Sequence, residues 1–264
     1  MKKTLIKNAN LVSRGEVNKY NLSFISDEDL FRHVLETVEK YRFNIDLKEF
    51  NKNLIDPIKL TFDSVIYNQD IKKTIANEVI RQLDKSNSNL IGYFNQNIFK
   101  YISKEWNVPK EGYDIINKKE NIYVEMKNKH NTMNSSSGAK TYMKMQNTII
   151  DNPDSKCLLV EVIAKNSQDI PWVVTIDKVR MSSRENIRRI SIDKFYEMVT
   201  GEKYAFRNLC RILPEVIKDT IKDIETKHKK NTVFKELNEL SDDLLTSIYL
   251  LSFKKYEGFD DFKF

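Results

Sequence analysis

The chain has 264 residues, 40% hydrophobic and 31% charged, a balance that suits a soluble globular protein with one large core or two small ones. Its 44 basic and 38 acidic residues leave a formal charge of +6, which favours an anionic partner, nucleic acid before membrane. Two separated cysteines, Cys157 and Cys210, and three scattered histidines argue against a disulfide framework or a histidine zinc site, and no apolar window approaches membrane-spanning length.

The start, Met1-Lys2-Lys3-Thr4, is basic but no apolar run follows, so no signal peptide and a cytoplasmic location are expected. Residues 1–25 show no clear period. Ser26-Asp27-Glu28-Asp29 looks like a helix start, with a capping hydroxyl and acids that suit the helix dipole. Leu30, Phe31, Val34, Leu35 and Val38 follow at helical spacing. Asp56-Pro57 interrupts the next segment. From Asp70 to Ser86, Ile71, Ile75, Val79 and Leu83 recur every four residues, an amphipathic helix with Glu78 at the border of its stripe. Ser86-Asn87-Ser88-Asn89 reads as a polar break before a second helix, Leu90 to Ser103. Its apolar face is Ile91, Phe94, Ile98 and Tyr101, and Gln96 lies off that face.

Glu111 to Lys127 reads as a hairpin. Tyr113 to Ile116 forms one strand, Asn117 to Asn121 a polar turn, and Ile122 to Lys127 the second strand. Side chains alternate along a strand, so Ile122, Val124 and Met126 enter a core while Tyr123, Glu125 and Lys127 face the other way. Pairing sets Asp114 beside Glu125. Two carboxylates and an ammonium then converge on one patch, a site for a hard divalent cation and a water. The same pattern also fits a surface hairpin with solvated charges.

Asn128 to Gly138 is expected to be a polar loop, leaving Lys129, His130, Asn131 and Ser135 placed for phosphates or base edges. A helix from Ala139 to near Ile150 would carry Lys140, Lys144 and Asn147 on one face, suited to a DNA backbone. Cys157 to Ala164 is a nearly continuous apolar run, a strand covered on both sides. Glu161 within it should be paired or at an edge, because a lone buried carboxylate is costly. Trp172 to Ile176 reads as another strand. In the arginine-dense stretch Arg180 to Arg189, Arg180 and Arg184 are the candidates for DNA contact, since the guanidinium fork matches guanine O6 and N7. Pro214 is expected to open a helix through His228, and Ser241-Asp242-Asp243 to cap a last one carrying Leu244, Leu245, Ile248 and Leu251. These C-terminal helices would form a dimer surface or cover the sheet.

The spacing Asp114-x10-Glu125-x-Lys127, with apolar Val124 before the glutamate, resembles the PD-(D/E)xK nuclease signature, although Tyr113 stands where that motif has proline. The block at 123–146 and the stretch at 77–99 are similar to type II restriction endonucleases that cut GGNCC sites. The alternation of elements reads as an α/β fold. The resemblance sharpens this to a restriction-endonuclease-like core, a mixed β-sheet flanked by helices with additional N- and C-terminal helices. One domain spanning 1–264 is expected, with an N-terminal helical part (1–69), a catalytic core (70–178) and a basic segment with C-terminal helices (179–264).

The resemblance also implies Mg2+-dependent hydrolysis of double-stranded DNA that leaves 5′-phosphates. Asp114, Glu125 and the Met126 carbonyl would hold the ion, with Glu78 or Gln96 as a further ligand from a helix, and Lys127 would orient and help deprotonate the attacking water. A homodimer and a companion DNA methyltransferase acting on the same site are implied as well. A repair or structure-selective nuclease of the same fold, or a DNA-binding protein without catalysis, would share parts of this pattern.

Overall fold

The computed structural model describes residues 19–130, 132–176, 178–222, 231–256, 259 and 262–264. In chain order these form helices α1 (Asp27–Lys40), α2 (Leu47–Asn51), α3 (Pro57–Ile66), α4 (Ile71–Asn97) and α5 (Phe99–Ile102), then strands β1 (Trp106–Asn107), β2 (Ile115–Asn117) and β3 (Ile122–Lys129). Helix α6 (Ser135–Asp151) leads to β4 (Lys156–Ile163), β5 (Asp169–Pro171), β6 (Thr175–Ile176), β7 (Val179–Arg180) and β8 (Ile187–Ser191). Helices α7 (Ile192–Thr200), α8 (Ala205–Lys222), α9 (Val233–Asn238) and α10 (Leu244–Phe253) complete the order.

The chain divides into two compact units, one of Met1–Glu39 with Ile91–Glu225 and the other of Lys40–Leu90 with Thr226–Phe264. The section boundaries expected near 70 and 178 do not coincide with them. The first unit holds a six-stranded mixed sheet in the order β1-β2-β3-β4-β8-β5. Strands β1, β2 and β3 pair antiparallel, β3, β4 and β8 run parallel, and β5 closes the edge antiparallel. This is the mixed α/β sheet flanked by helices that the resemblance implies.

Both faces of the sheet are covered. Val124, Met126, Leu158 and Val160 pack on one side with Phe94, Ile98, Phe99, Phe195 and Tyr196. Cys157, Leu159 and Ile187 pack on the other with Tyr113, Trp172 and, from α6, Tyr142, Met145 and Ile149. Alternation along β3 therefore sends Glu125 and Lys127 toward the α6 side. Burial pushes the Cys157 thiol up to about 11, as suits a core residue.

The second unit gathers Phe50, Leu60, Ile75, Val79, Val233, Leu237 and Ile248 in its own core. Three of its helices, α2, α3 and α10, start on aspartates. Asp46, Asp56 and Asp243 accept from the backbone N–H three residues on, at 2.8, 3.0 and 2.6 Å. In the first unit Ser26 does the same for Asp29, at 3.1 Å.

Several boundaries differ from expectation, for local reasons. The polar run Ser86 to Asn89 does not break the helix, since it contains no proline or glycine and Asn87 exchanges bonds with the Arg42 backbone at 2.9 and 3.0 Å. The loop after β3 is short, because Asn134 accepts from the Ser137 N–H at 2.8 Å and starts α6 at Ser135. Pro214 lies inside α8 instead of opening it. The burial of Leu209 and Val216 on either side outweighs the hydrogen bond proline cannot donate. Of the segment expected as a strand from Trp172 to Ile176, only Thr175 and Ile176 pair, as β6 of the small β6–β7 ribbon, and Trp172 to Val174 lie outside regular structure. Among the described residues no helix is long and apolar enough to cross a membrane.

Phe195 has no exposed surface and packs against Phe99 and Trp106, with ring centroids 4.7 and 5.3 Å away. Phe195→Ala should cost about 3–5 kcal/mol in urea unfolding. A loss below about 1 kcal/mol would mean that this aromatic cluster does not hold the sheet's helical cover.

Candidate active site

Regular pairing of β2 with β3 runs from Asn117 opposite Ile122 to Ile115 opposite Val124. The next residue, Asp114, leaves the ladder. Its backbone N–H donates to the Val124 carbonyl at 3.0 Å, and its Oδ2 accepts the Met126 N–H at 2.7 Å. Asp114 thus grips the backbone on both sides of Glu125. The turn that allows this is organised by Asn117, buried, whose side chain accepts from the N–H groups of Lys119 and Glu120 at 3.1 and 3.2 Å. Asn121 completes it in the left-handed region, at φ 53°, a conformation that asparagine tolerates better than most residues.

Glu125 is met on both oxygens by ammonium groups. Lys127 Nζ donates to Oε1 at 2.8 Å and Lys144 Nζ to Oε2 at 2.9 Å. Lys144 also donates to the Gly112 carbonyl at 2.7 Å and stands 4.0 Å from the centre of the Tyr113 ring. Tyr113 is fixed in turn by a 2.8 Å bond between its hydroxyl and that of Thr148, one helical turn beyond Lys144. The residue that replaces the motif's proline therefore makes a platform for a second lysine.

These surroundings push the two carboxyls in opposite directions. Burial raises the Asp114 pKa, aided by the neighbouring Glu125 charge and opposed by the Met126 N–H and both lysines. Burial also pulls Glu125 upward, but the hydrogen bonds and charges of Lys127 and Lys144 outweigh it and hold that carboxyl low. Among the described residues no three His, Cys, Asp or Glu side chains gather as a metal cluster. A cation here would rest on two carboxylates, with main-chain carbonyl and water oxygens filling the rest of its shell. That donor set fits Mg2+, which takes few protein ligands and keeps several waters.

The structure brings Asp114, Glu125 and Lys127 together and adds Lys144, which turns into the site and not along a surface stripe with Lys140. Lys129, Ser135 and Lys140 are exposed, and Ser135 lies in the first turn of α6, not in a loop. Asn131 lies outside the described residues. Glu78 belongs to the second unit, where Arg81 holds both its oxygens at 2.6 Å and Gln82 donates to one at 3.0 Å. Gln96 is half-buried on α4, one turn after Gly92, where an added Cβ would lie 3.3 Å from the Asn128 amide. It makes no hydrogen bond to Asp114 or Glu125. Arg180 and Arg184 are exposed and make no ion pair among the described residues, whereas Arg188 binds Asp169 and Glu185, and Arg189 binds Glu161. The inward turn of Lys144 and the pairing of Glu161 with His130 and Arg189 are not evident in the sequence. The one hint was a carboxylate inside an apolar strand.

A family model described as Eco47II restriction endonuclease matches residues 22–222 of this chain. The type II restriction enzyme Sau96I of Staphylococcus aureus is 34% identical over 224 residues, covering 81% of this chain and 84% of the relative. The type II restriction enzyme Eco47II of Escherichia coli is 28% identical over 207 residues, covering 74% of this chain and 86% of the relative.

The opposed shifts predict opposed effects on metal-free stability. Asp114 has a raised pKa in the folded state, so its ionised form costs stability above that pKa, and the cost fades as pH falls through it. Glu125 has a lowered one, so it contributes stability above the ordinary glutamate pKa that is lost as pH falls through the folded value. At neutral pH in chelator, Asp114→Asn should therefore raise the thermal midpoint and Glu125→Gln should lower it. Equal shifts in one direction would contradict this charge arrangement.

Proposed function

The chain belongs to the Eco47II restriction endonuclease family, and from that premise we propose that it cuts double-stranded DNA at GGNCC with Mg2+ held by Asp114, Glu125 and the Met126 carbonyl. The enzyme is a type II site-specific deoxyribonuclease, and DNA is its substrate. The observation that carries the metal reading is the double grip of Asp114 around Glu125, which keeps two carboxylates and one strand's backbone together.

Two ammonium groups on Glu125 bring the charge of one divalent cation. A bound Mg2+ would stabilise charge on the scissile phosphate and lower the pKa of a coordinated water. Glu125 would then release its lysines. Lys127, once its own ammonium proton has passed to solvent, would orient the attacking water and take its proton, and Lys144 would be left facing the phosphate. The water oxygen bonds to phosphorus, the P–O3′ bond breaks and O3′ takes a proton from solvent, leaving a 5′-phosphate and a 3′-hydroxyl.

Recognition falls to the basic groups around this patch. Lys129, His130, Asn131, Ser135 and Lys140 follow the catalytic strand, and the exposed Arg180 and Arg184, which make no ion pair among the described residues, would meet DNA. A site with twofold symmetry suits a homodimer, each subunit cutting one strand. A companion methyltransferase would protect the host's own sites.

Incubating the protein with a plasmid of known sequence, with and without Mg2+, and sequencing the ends tests this directly. Cuts confined to GGNCC and dependent on Mg2+ are expected, whereas cuts at another sequence or at DNA structures would replace the specificity while keeping the chemistry. Glu125→Ala should lower the cleavage rate by about 1,000-fold or more and leave DNA binding nearly intact. Arg184→Ala should cost about 1–3 kcal/mol of discrimination between cognate and mismatched duplexes, and unchanged discrimination would remove it from the recognition surface.

A further inference from the structure

Glu161 sits at the end of β4 with 1% of its surface exposed, on the α6 side of the sheet that also carries Glu125 and Lys127. Its Cα is the register partner of Lys127 on the neighbouring parallel strand. The Lys127 ammonium nevertheless goes to Glu125, because both Glu161 oxygens are already taken. Arg189 donates to Oε1 through Nε at 2.9 Å and Nη2 at 2.5 Å, and His130 Nδ1 lies 3.0 Å from Oε2.

The same three residues hold the end of β3. The His130 backbone N–H donates to the Ile163 carbonyl at 3.0 Å, and its carbonyl accepts from Arg189 Nη2 at 3.4 Å. His130 is thus fixed through its backbone and one ring nitrogen, while its side chain stays 26% exposed. An ionised carboxylate only accepts, so Nδ1 carries a proton and donates it. The other ring nitrogen, Nε2, has no partner among the described residues.

We propose that Glu161 and Arg189 are positioning residues that hold the His130 ring so that Nε2 donates to a phosphate oxygen of the DNA strand being cut. A buried ion pair adds little net stability over well-packed apolar side chains. Its value here is a fixed ring direction three residues beyond Lys127. With Nδ1–H given to Glu161, the contact uses the doubly protonated ring, in which both nitrogens donate. Glu161 and Arg189 cancel each other, so the charge offered to DNA is that of His130. This rests on the cleavage reading above and gives His130, already among its DNA-facing groups, one phosphate partner and two positioning residues.

Single-turnover cleavage of a duplex carrying the mapped site, with one methylphosphonate at a time near the cut, tests the proposal. H130N keeps a donor for Glu161 but loses the reach of Nε2, and it should cut about 10- to 100-fold more slowly. H130Q, whose amide reaches further, should recover part of that loss. E161Q should slow cleavage as well, and the H130N/E161Q double variant should be no slower than H130N. One methylphosphonate position should slow the wild type but leave H130N unaffected. Wild-type rates for H130N, multiplying losses in the double variant, or equal sensitivity of H130N to every methylphosphonate would each overturn the proposal. H130N lies at a partly exposed position outside regular structure, so it keeps the test decisive even if E161Q disturbs folding. A wild-type protein that cuts no duplex would sink the underlying reading, and this one with it.

Discussion

The hydrogen bond from the Met126 N–H to the Asp114 carboxylate is the constraint on which the site depends. It ends the regular pairing of β2 with β3 and puts a carboxylate where a strand's carbonyl would otherwise sit. The neighbouring bond to Val124 prevents Asp114 from swinging away. Two acidic groups that would repel each other in a flexible hairpin are thereby kept side by side. Burial makes the arrangement unfavourable for Asp114 in particular, the kind of local cost that the proposed cation site would carry.

The rest of the first unit keeps this arrangement rigid. The apolar face of β3 is locked between Leu158 and Val160 on the next strand and the aromatic group around Phe99 and Phe195. On the opposite face α6 lies over the sheet through Tyr142, Met145 and Ile149. That packing delivers Lys144 to Glu125, and Tyr113 supports the lysine from below. At the far end of the same face Arg189 and His130 occupy both oxygens of Glu161. Lys127 is left with a single carboxylate partner, although a second carboxylate lies directly across the ladder.

What was legible in the sequence was local. A period of two fixes the face on which Glu125 and Lys127 lie whatever surrounds the strand, and the caps at Ser26 and Asp243 depend only on the next three residues. Ser86 to Asn89 looks like a break, since such residues either cap a helix or bond to distant backbone, and Asn87 finds Arg42, far away in the chain. Three serines in a row, Ser135 first, resemble a loop, but Asn134 caps them into a first turn. Lys144 sits at helical spacing from Lys140, yet its direction is set by Gly112 and Glu125, which no local pattern reveals. Glu161 was recognisable as a carboxylate in need of partners, while their identity depended on how the strands pair.

Anomalous scattering from crystals soaked in Mn2+ bears most directly on the central claim. The account predicts a peak bounded by the Asp114 and Glu125 carboxylates and the Met126 carbonyl, absent when Glu125 is replaced by alanine. Manganese bound at other side chains, with these oxygens still held by Lys127 and Lys144, would contradict it.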